Sequence, residues 1–156
     1  LHAAHQAGLV HRDLKPENVM VCKDGDGNDV VRLLDFGLAI GLDPSKPTGA
    51  RMTAQGLRLG TPAFMAPEYI TSGKLDHRSD LYSLGIMLYE LACGSLPFQG
   101  QGFQLMSHHL STIPQPLAER APVPPALGKV VDRLLVKEPD ERFPSGGALA
   151  DALEAL

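Results

Sequence analysis

The sequence predicts a single α+β domain that is mostly helical, with a short β-hairpin followed by a helical bundle. The 156 residues suit one domain of about 150 residues. Two short runs rich in β-branched residues enclose a polar, glycine-containing turn, which is typical of a hairpin. The apolar residues of the later segments recur at helical spacing. Because 44% of the residues are hydrophobic and 21% are charged, the chain can bury a core.

The first predicted elements are the end of a helix and the hairpin. Residues 1–7 are predicted to form the last two turns of a helix, and Gly8 stands where glycine is favoured after a helix. Residues 18–22 and 30–34 are the two predicted strands, joined by a turn at residues 23–29. Since a chain rarely begins within a helix, we expect the sequence to be a piece of a longer protein.

The rest of the chain is predicted to contain a long loop and several helices. Residues 41–59 are rich in Gly, Pro, Ser and Thr without any period, and loops of this length are usually functional. Residues 80–93 are apolar almost all round, which predicts a buried helix. Further helices are predicted at residues 65–70, 103–110 and 126–136, and after Ser145 as an N-cap.

Composition excludes several classes of function. The 14 basic and 18 acidic residues give a net charge of −4, which lacks the basic footprint of a nucleic-acid-binding protein. The apolar runs are shorter than the roughly 18 residues of a membrane span. Cys22 and Cys93 form no C-x-x-C pair, which argues against a disulfide scaffold or a zinc site and favours a reducing compartment. We therefore expect a cytoplasmic domain, although an anchor elsewhere in a longer protein stays possible.

Three motifs carry the functional signal, and their order is more specific than any one of them. His-Arg-Asp-Leu-Lys-Pro-Glu-Asn occupies residues 11–18, directly before the first strand. Asp-Phe-Gly follows the second strand at residues 35–37, and Gly-Thr-Pro-Ala-Phe-Met-Ala-Pro-Glu closes the long loop at residues 60–68. In this order they resemble the catalytic loop, the metal-binding loop and the end of the activation segment of eukaryotic-type Ser/Thr protein kinases, in a bacterial-like form.

The resemblance covers nearly the whole chain and implies a protein-kinase-like fold. Residues 1–156 would be the C-terminal lobe alone, because the sequence lacks the Gly-rich loop, the strand lysine and the helix glutamate of the N-terminal lobe. The implied activity is transfer of the γ-phosphate of ATP to Ser or Thr hydroxyls of protein substrates. Without the other lobe, we expect this piece to be inactive.

The resemblance also assigns roles to the residues at the phosphoryl-transfer site. Asp13 would accept or orient the proton of the substrate hydroxyl, and Lys15 would place positive charge beside the transferring phosphoryl group. Asn18 and Asp35 would hold Mg²⁺, a cation that prefers oxygen ligands. Met20, with Val19 and Val21, would lie beneath the adenine. ATP and Mg²⁺ are therefore the expected cofactors.

Further residues are assigned to regulation and support. In the family, Arg12 receives a phosphate from the activation loop, and among the loop hydroxyls Thr53 is the predicted acceptor. Thr61 is expected to contact the catalytic loop instead. The remaining supporting roles belong to His11 stacked under Phe36, to Asp80 bracing the catalytic loop, and to an ion pair of Glu68 with Arg142.

Other interpretations stay open at this stage. Asp80 could be a helix N-cap or an acidic residue of the first turn, and Glu68 and Arg142 could be unrelated surface charges. The spacing of Asp24, Asp26 and Asn28 resembles a calcium loop, but its sixth position lacks glycine and its flanks are strands, so a polar turn is favoured. At the level of function, the alternative is a non-catalytic kinase-lobe remnant that binds partner proteins.

Overall fold

A computed structural model describes residues 1–36 and 62–156. These two ranges contain two strands, seven α-helices and three 3₁₀ turns, which confirms the predicted mostly helical α+β architecture. The strands are β1 (Val19–Lys23) and β2 (Asp29–Leu33). The α-helices are α1 (His2–Gln6), α2 (Pro67–Ser72), α3 (His77–Cys93), α4 (Gly102–Ser111), α5 (Leu117–Arg120), α6 (Pro125–Leu134) and α7 (Gly146–Glu154). The 3₁₀ turns are Pro16–Asn18, Pro62–Phe64 and Pro139–Glu141.

The hairpin forms as predicted, but each strand is shifted by one residue toward the turn, which is shortened to residues 24–28. β1 and β2 are antiparallel, and the register pairs Lys23 with Asp29 beside the turn. The Asp24 carboxylate accepts hydrogen bonds from the backbone N–H groups of Asp26 (2.9 Å) and Asn28 (2.8 Å). Hydrogen bonds from Asn28 hold the pKa of Asp24 below its usual value. The acidic turn thus uses its carboxylate internally, as the favoured interpretation of a polar turn requires.

Helix α3 is the central element, and it begins earlier than the sequence pattern indicated. Asp76 is the N-cap: its side chain accepts from the backbone N–H of Arg78, while Ser79 accepts from the backbone N–H of Asp76. This reciprocal pairing satisfies the free donors of the first turn. Asp80 therefore lies inside the first turn and is not the cap, which leaves its carboxylate available for a distant partner.

The other helices surround α3. Leu81, Tyr82 and Ile86 are fully buried in the core that α3 shares with its neighbours. α5 was absent from the sequence interpretation, because a helix of four residues is too short to show a 3.6-residue period. The predicted N-cap of α7 is present, since the Ser145 hydroxyl accepts from the backbone N–H of Ala148 at 3.1 Å.

Close packing of α3 on α6 depends on Gly85. A Cβ atom added to this residue would lie 2.7 Å from the Cβ of Leu134 and 3.1 Å from Leu135 Cδ2, closer than real side chains approach. Gly85→Ala should therefore force the two helices apart and destabilise the lobe by about 1–3 kcal/mol, as overpacked cores do. Thermal unfolding measures this. Gly25→Ala is the matched control, because nothing lies within 4 Å of a Cβ at residue 25, and an equal loss there would contradict the prediction.

Within residues 1–36 and 62–156, none of the helices combines the length and apolar character needed to cross a bilayer.

Candidate active site

The predicted catalytic loop, residues 11–18, connects α1 to β1 and has an unusual backbone. Arg12 has a φ of 72°, a left-handed conformation that costs free energy for a residue with a Cβ atom. Asp35, just beyond β2, shares this feature with a φ of 57°. They are the two non-glycine residues of the described ranges with positive φ. Strain of this kind concentrates at functional sites and persists because the surrounding contacts hold it in place.

Within the loop, three of the predicted residues contact one another. Lys15 Nζ lies 2.7 Å from Asp13 Oδ2, and both side chains are mostly buried. The Asn18 amide donates to the backbone carbonyl of Asp13 at 2.7 Å and approaches its carboxylate at 3.4 Å. The Lys15 cation and the Asn18 amide therefore both hold the Oδ2 atom of the Asp13 carboxylate, which fixes its direction.

The loop is anchored from below by Asp80 on α3. Its two carboxylate oxygens accept hydrogen bonds from the backbone N–H groups of His11 (2.8 Å) and Arg12 (2.9 Å). His5 Nε2 lies 2.8 Å from Asp80 Oδ2, and it must donate, because a carboxylate only accepts. Asp80 is 1% exposed, so these charge-assisted bonds lie out of water, where they are stronger. They hold Arg12 in its strained conformation.

The hairpin brings the fourth predicted residue of the phosphoryl-transfer site, Asp35, to the same end as Asn18. The backbone N–H of Leu34 donates to the carbonyl of Asn18 at 2.9 Å, so the register continues up to Asp35. His11 ties this end to the loop, since its Nε2 lies 2.8 Å from the Leu34 carbonyl oxygen. The His11 ring also contacts Phe36, with 4.8 Å between the ring centroids.

Glu68 and Arg142 form a bidentate ion pair at the base of the site. Arg142 Nη1 and Nη2 donate to the two carboxylate oxygens of Glu68 at 2.9 Å and 2.8 Å. The Ser79 hydroxyl donates to the same carboxylate at 2.7 Å. Burial raises the pKa of Glu68, but the hydrogen bonds and charge of Arg142 outweigh it, so that the pKa lies below its usual value. The pair links α2 to the segment that precedes α7.

Comparison with known sequences decides the family. The family model described as "Protein kinase domain" matches residues 1–153. The chain belongs to the protein kinase family. Serine/threonine-protein kinase pkn3 of Myxococcus xanthus is 42% identical over 100% of this chain, which corresponds to 29% of that relative. The DNA damage-responsive serine/threonine-protein kinase RqkA of Deinococcus radiodurans is 43% identical over 96% of this chain and 22% of its own length. Serine/threonine-protein kinase PknL of Mycobacterium tuberculosis is 38% identical over 100% of this chain, which corresponds to 37% of that relative.

This kinase chain thus spans between 22% and 37% of the length of these three relatives. All three are named serine/threonine-protein kinases. The similarity places the chain among the transferases of the Ser/Thr kinase class, at the level of the family.

Strand β1 follows the catalytic loop and carries Met20, the residue predicted to lie beneath the adenine. Met20 is 44% exposed, and Val21 beside it is 64% exposed. Because side chains alternate across a strand, Met20 faces the side opposite to Val19 and Val21. The role of Met20, with Val19 and Val21, beneath the adenine stays a prediction.

The donor set at the hairpin end suits a hard cation. The Asn18 amide uses its nitrogen in the loop, which leaves its oxygen for another partner, and the Asp35 carboxylate is exposed at the same end. Amide and carboxylate oxygens are what Mg²⁺ requires, together with phosphate oxygens and water. No cluster of three or more His, Cys, Asp or Glu occurs in residues 1–36 and 62–156 that would hold a metal by itself.

Two predicted residues, Thr53 and Thr61, lie outside the described residues. One residue that the sequence interpretation missed is His5. Its role depends on Asp80, 75 positions away. The sequence feature that could have identified His5 is its position near the end of the helix that precedes the catalytic loop.

Proposed function

We propose that this chain is the C-terminal lobe of an active Ser/Thr protein kinase that transfers the γ-phosphate of ATP to Ser or Thr hydroxyls of proteins. The observation that carries the proposal is the Asp13 carboxylate, oriented by Lys15 at 2.7 Å and by the Asn18 amide, in a loop anchored to Asp80. A structural turn has no need for a strained backbone and a directed carboxylate together.

In the proposed reaction, the substrate hydroxyl oxygen forms a bond to the γ-phosphorus while the bond from that phosphorus to the β-γ bridging oxygen breaks. Asp13 accepts or orients the hydroxyl proton, as a general base would. Lys15 offsets the negative charge that shifts among the phosphoryl oxygens. Asn18 and Asp35 would hold Mg²⁺, which when bound neutralises charge on the phosphates. Protein substrates, ATP and Mg²⁺ are thus the partners that this site requires.

This lobe requires a second lobe to complete a binding site for ATP. The hairpin exposes apolar side chains on both of its faces, Met20 on one and Val21 with Val31 on the other. An apolar surface of this kind favours contact with another part of the protein or with the adenine. We therefore propose that residues 1–156 form one lobe and that an N-terminal lobe upstream completes the nucleotide site.

Regulation is proposed to act through Arg12. Its guanidinium is exposed, and its backbone is fixed by the Asp80 carboxylate. A phosphate carries about −1.5 to −2 charges and pairs well with arginine. Phosphorylation of Thr53 would supply that phosphate and order the activation segment against the catalytic loop.

The experiment is a transfer assay with radiolabelled ATP and a general protein substrate, using the full-length protein and residues 1–156 alone. We expect Mg²⁺-dependent label on Ser or Thr of the substrate for the full-length protein, and none for the isolated lobe. Mass spectrometry of the same reaction should find phosphate on Thr53. If the full-length protein leaves no label on the substrate, or if the labelling does not require Mg²⁺, the proposed function is contradicted. Active protein with no phosphate on Thr53 would reject only the regulatory part.

A further inference from the structure

Tyr69, the third residue of α2, has a buried hydroxyl that lacks a partner. Its side chain belongs to the core, with 6% of the residue exposed. Its Oη atom makes no hydrogen bond to any described residue. Burial raises the pKa of Tyr69, against the opposing charge of Arg12, so the hydroxyl keeps its proton and can donate. Since almost all buried polar groups in proteins are paired, this hydroxyl needs an explanation.

Tyr69 lines a small cavity beneath the catalytic loop. The volume open to the centre of a water molecule is about 30 Å³. That volume holds one or two water molecules, because one needs about 10–15 Å³ on this measure. Besides Tyr69 of α2, the lining of the cavity includes Arg12, Asp13 and Leu14 of the catalytic loop and Ser79 and Asp80 of α3.

The polar neighbours of Tyr69 are already engaged with other groups. The Ser79 hydroxyl donates to Glu68, and the Ser83 hydroxyl donates to the carbonyl of Phe64 at 2.7 Å. Asp80 receives its bonds from the loop backbone and from His5. Within the described ranges the Tyr69 hydroxyl thus makes no direct hydrogen bond. A water molecule would extend that reach, since it both donates and accepts.

We propose that an ordered water in this cavity joins the Tyr69 hydroxyl to residues 12–14 of the catalytic loop, which makes Tyr69 a positioning residue for Asp13. The kinetic part of this inference rests on the proposed phosphoryl transfer. The loop is then held from two directions. Asp80 fixes its backbone at His11 and Arg12, and the water fixes the following residues from α2.

The test compares Tyr69→Phe with Tyr89→Phe in the full-length protein. Phenylalanine keeps the ring and removes only the hydroxyl, so packing at residue 69 is preserved. Tyr89 is also buried, but its hydroxyl donates to the Gln115 carbonyl at 3.0 Å, away from the site. We expect Tyr69→Phe to lower kcat by about 3- to 10-fold, because small errors of positioning cost rate steeply, with KM for ATP and the melting temperature near wild type. Tyr89→Phe should lower the melting temperature and leave kcat unchanged.

A second measurement locates the water without any activity. A high-resolution crystal structure of the wild-type protein should show density in the cavity at about 2.7–3.2 Å from Tyr69 Oη. Tyr69→Phe should lose or displace it. A dry cavity, or an occupied one with wild-type kcat in Tyr69→Phe, would overturn the inference. If the wild-type protein transfers no phosphate at all, the proposed function fails, and the density alone decides whether the water links Tyr69 to the loop.

Discussion

Replacing Asp13 with Asn is expected to lower kcat for phosphoryl transfer by about 10²–10⁴-fold, the usual contribution of a general base. Asparagine has nearly the same shape and can still contact Lys15 and Asn18, so the loop should keep its conformation. Only the charge and the proton-accepting capacity of the carboxylate are lost. KM for ATP should therefore remain near wild type. Steady-state assays of the full-length protein, with thermal unfolding to confirm folding, measure the effect.

The matched control is Asp29→Asn on the hairpin. Asp29 also pairs with a lysine, since Lys23 Nζ lies 2.7 Å from its carboxylate, but both side chains are more than 60% exposed. This variant removes the same charge from the same kind of pair, outside the site, and should leave kcat unchanged. If Asp13→Asn retains both kcat and cellular function, the chain acts by binding partner proteins, which is the alternative function.

The order of the motifs predicted the hairpin and the placement of Asn18 and Asp35 at one end of it. This succeeds because neighbouring strands of a hairpin fix the relative position of the residues that flank them. Inside β1, the role of Met20 with Val19 and Val21 beneath the adenine stays a prediction, and the two-residue alternation of a strand places Met20 on the face opposite to the other two.

Contacts between distant residues could not be derived from local pattern. The contact of His5 with Asp80 and the cavity beside Tyr69 depend on how α1, α2 and α3 meet, and no periodicity encodes that. Helix boundaries were also uncertain. The capping residues Asp76 and Ser79 determine the start of α3, whereas the apolar pattern shows only where burial begins.

The second large effect is expected at Arg142, whose removal should destabilise the lobe by about 3–5 kcal/mol, as breaking a buried ion pair does. Arg142 is 1% exposed and donates to Glu68, to the carbonyls of Val136 and Lys137, and to that of Arg78. Arg142→Ala leaves the Glu68 carboxylate partly buried without its counter-ion. The melting temperature of the full-length protein should fall by roughly 10 °C or more.

An exposed ion pair supplies the control for this prediction. Lys23→Ala removes the cation that pairs with Asp29 on the hairpin surface, where such pairs contribute about 0–1 kcal/mol. A loss of stability in Arg142→Ala no larger than in Lys23→Ala would contradict a structural role for the buried pair. The double variant Glu68→Gln with Arg142→Met should be less destabilised than Arg142→Ala, since it leaves no buried charge unpaired.

The pH dependence of stability gives an independent test of the same pair. In the folded protein the pKa of Glu68 lies below its usual value of 4.5. The folded state therefore favours the ionised carboxylate, and this stabilisation is present above about pH 4.5 and is lost as the pH falls through the lowered pKa. Arg142→Ala removes the counter-ion and leaves burial to raise the pKa of Glu68. The variant should consequently lose less of its remaining stability than the wild type on acidification from pH 5 to about pH 3. If the wild type and Arg142→Ala both fold but give parallel acid-unfolding curves, the coupling of Glu68 to Arg142 is contradicted.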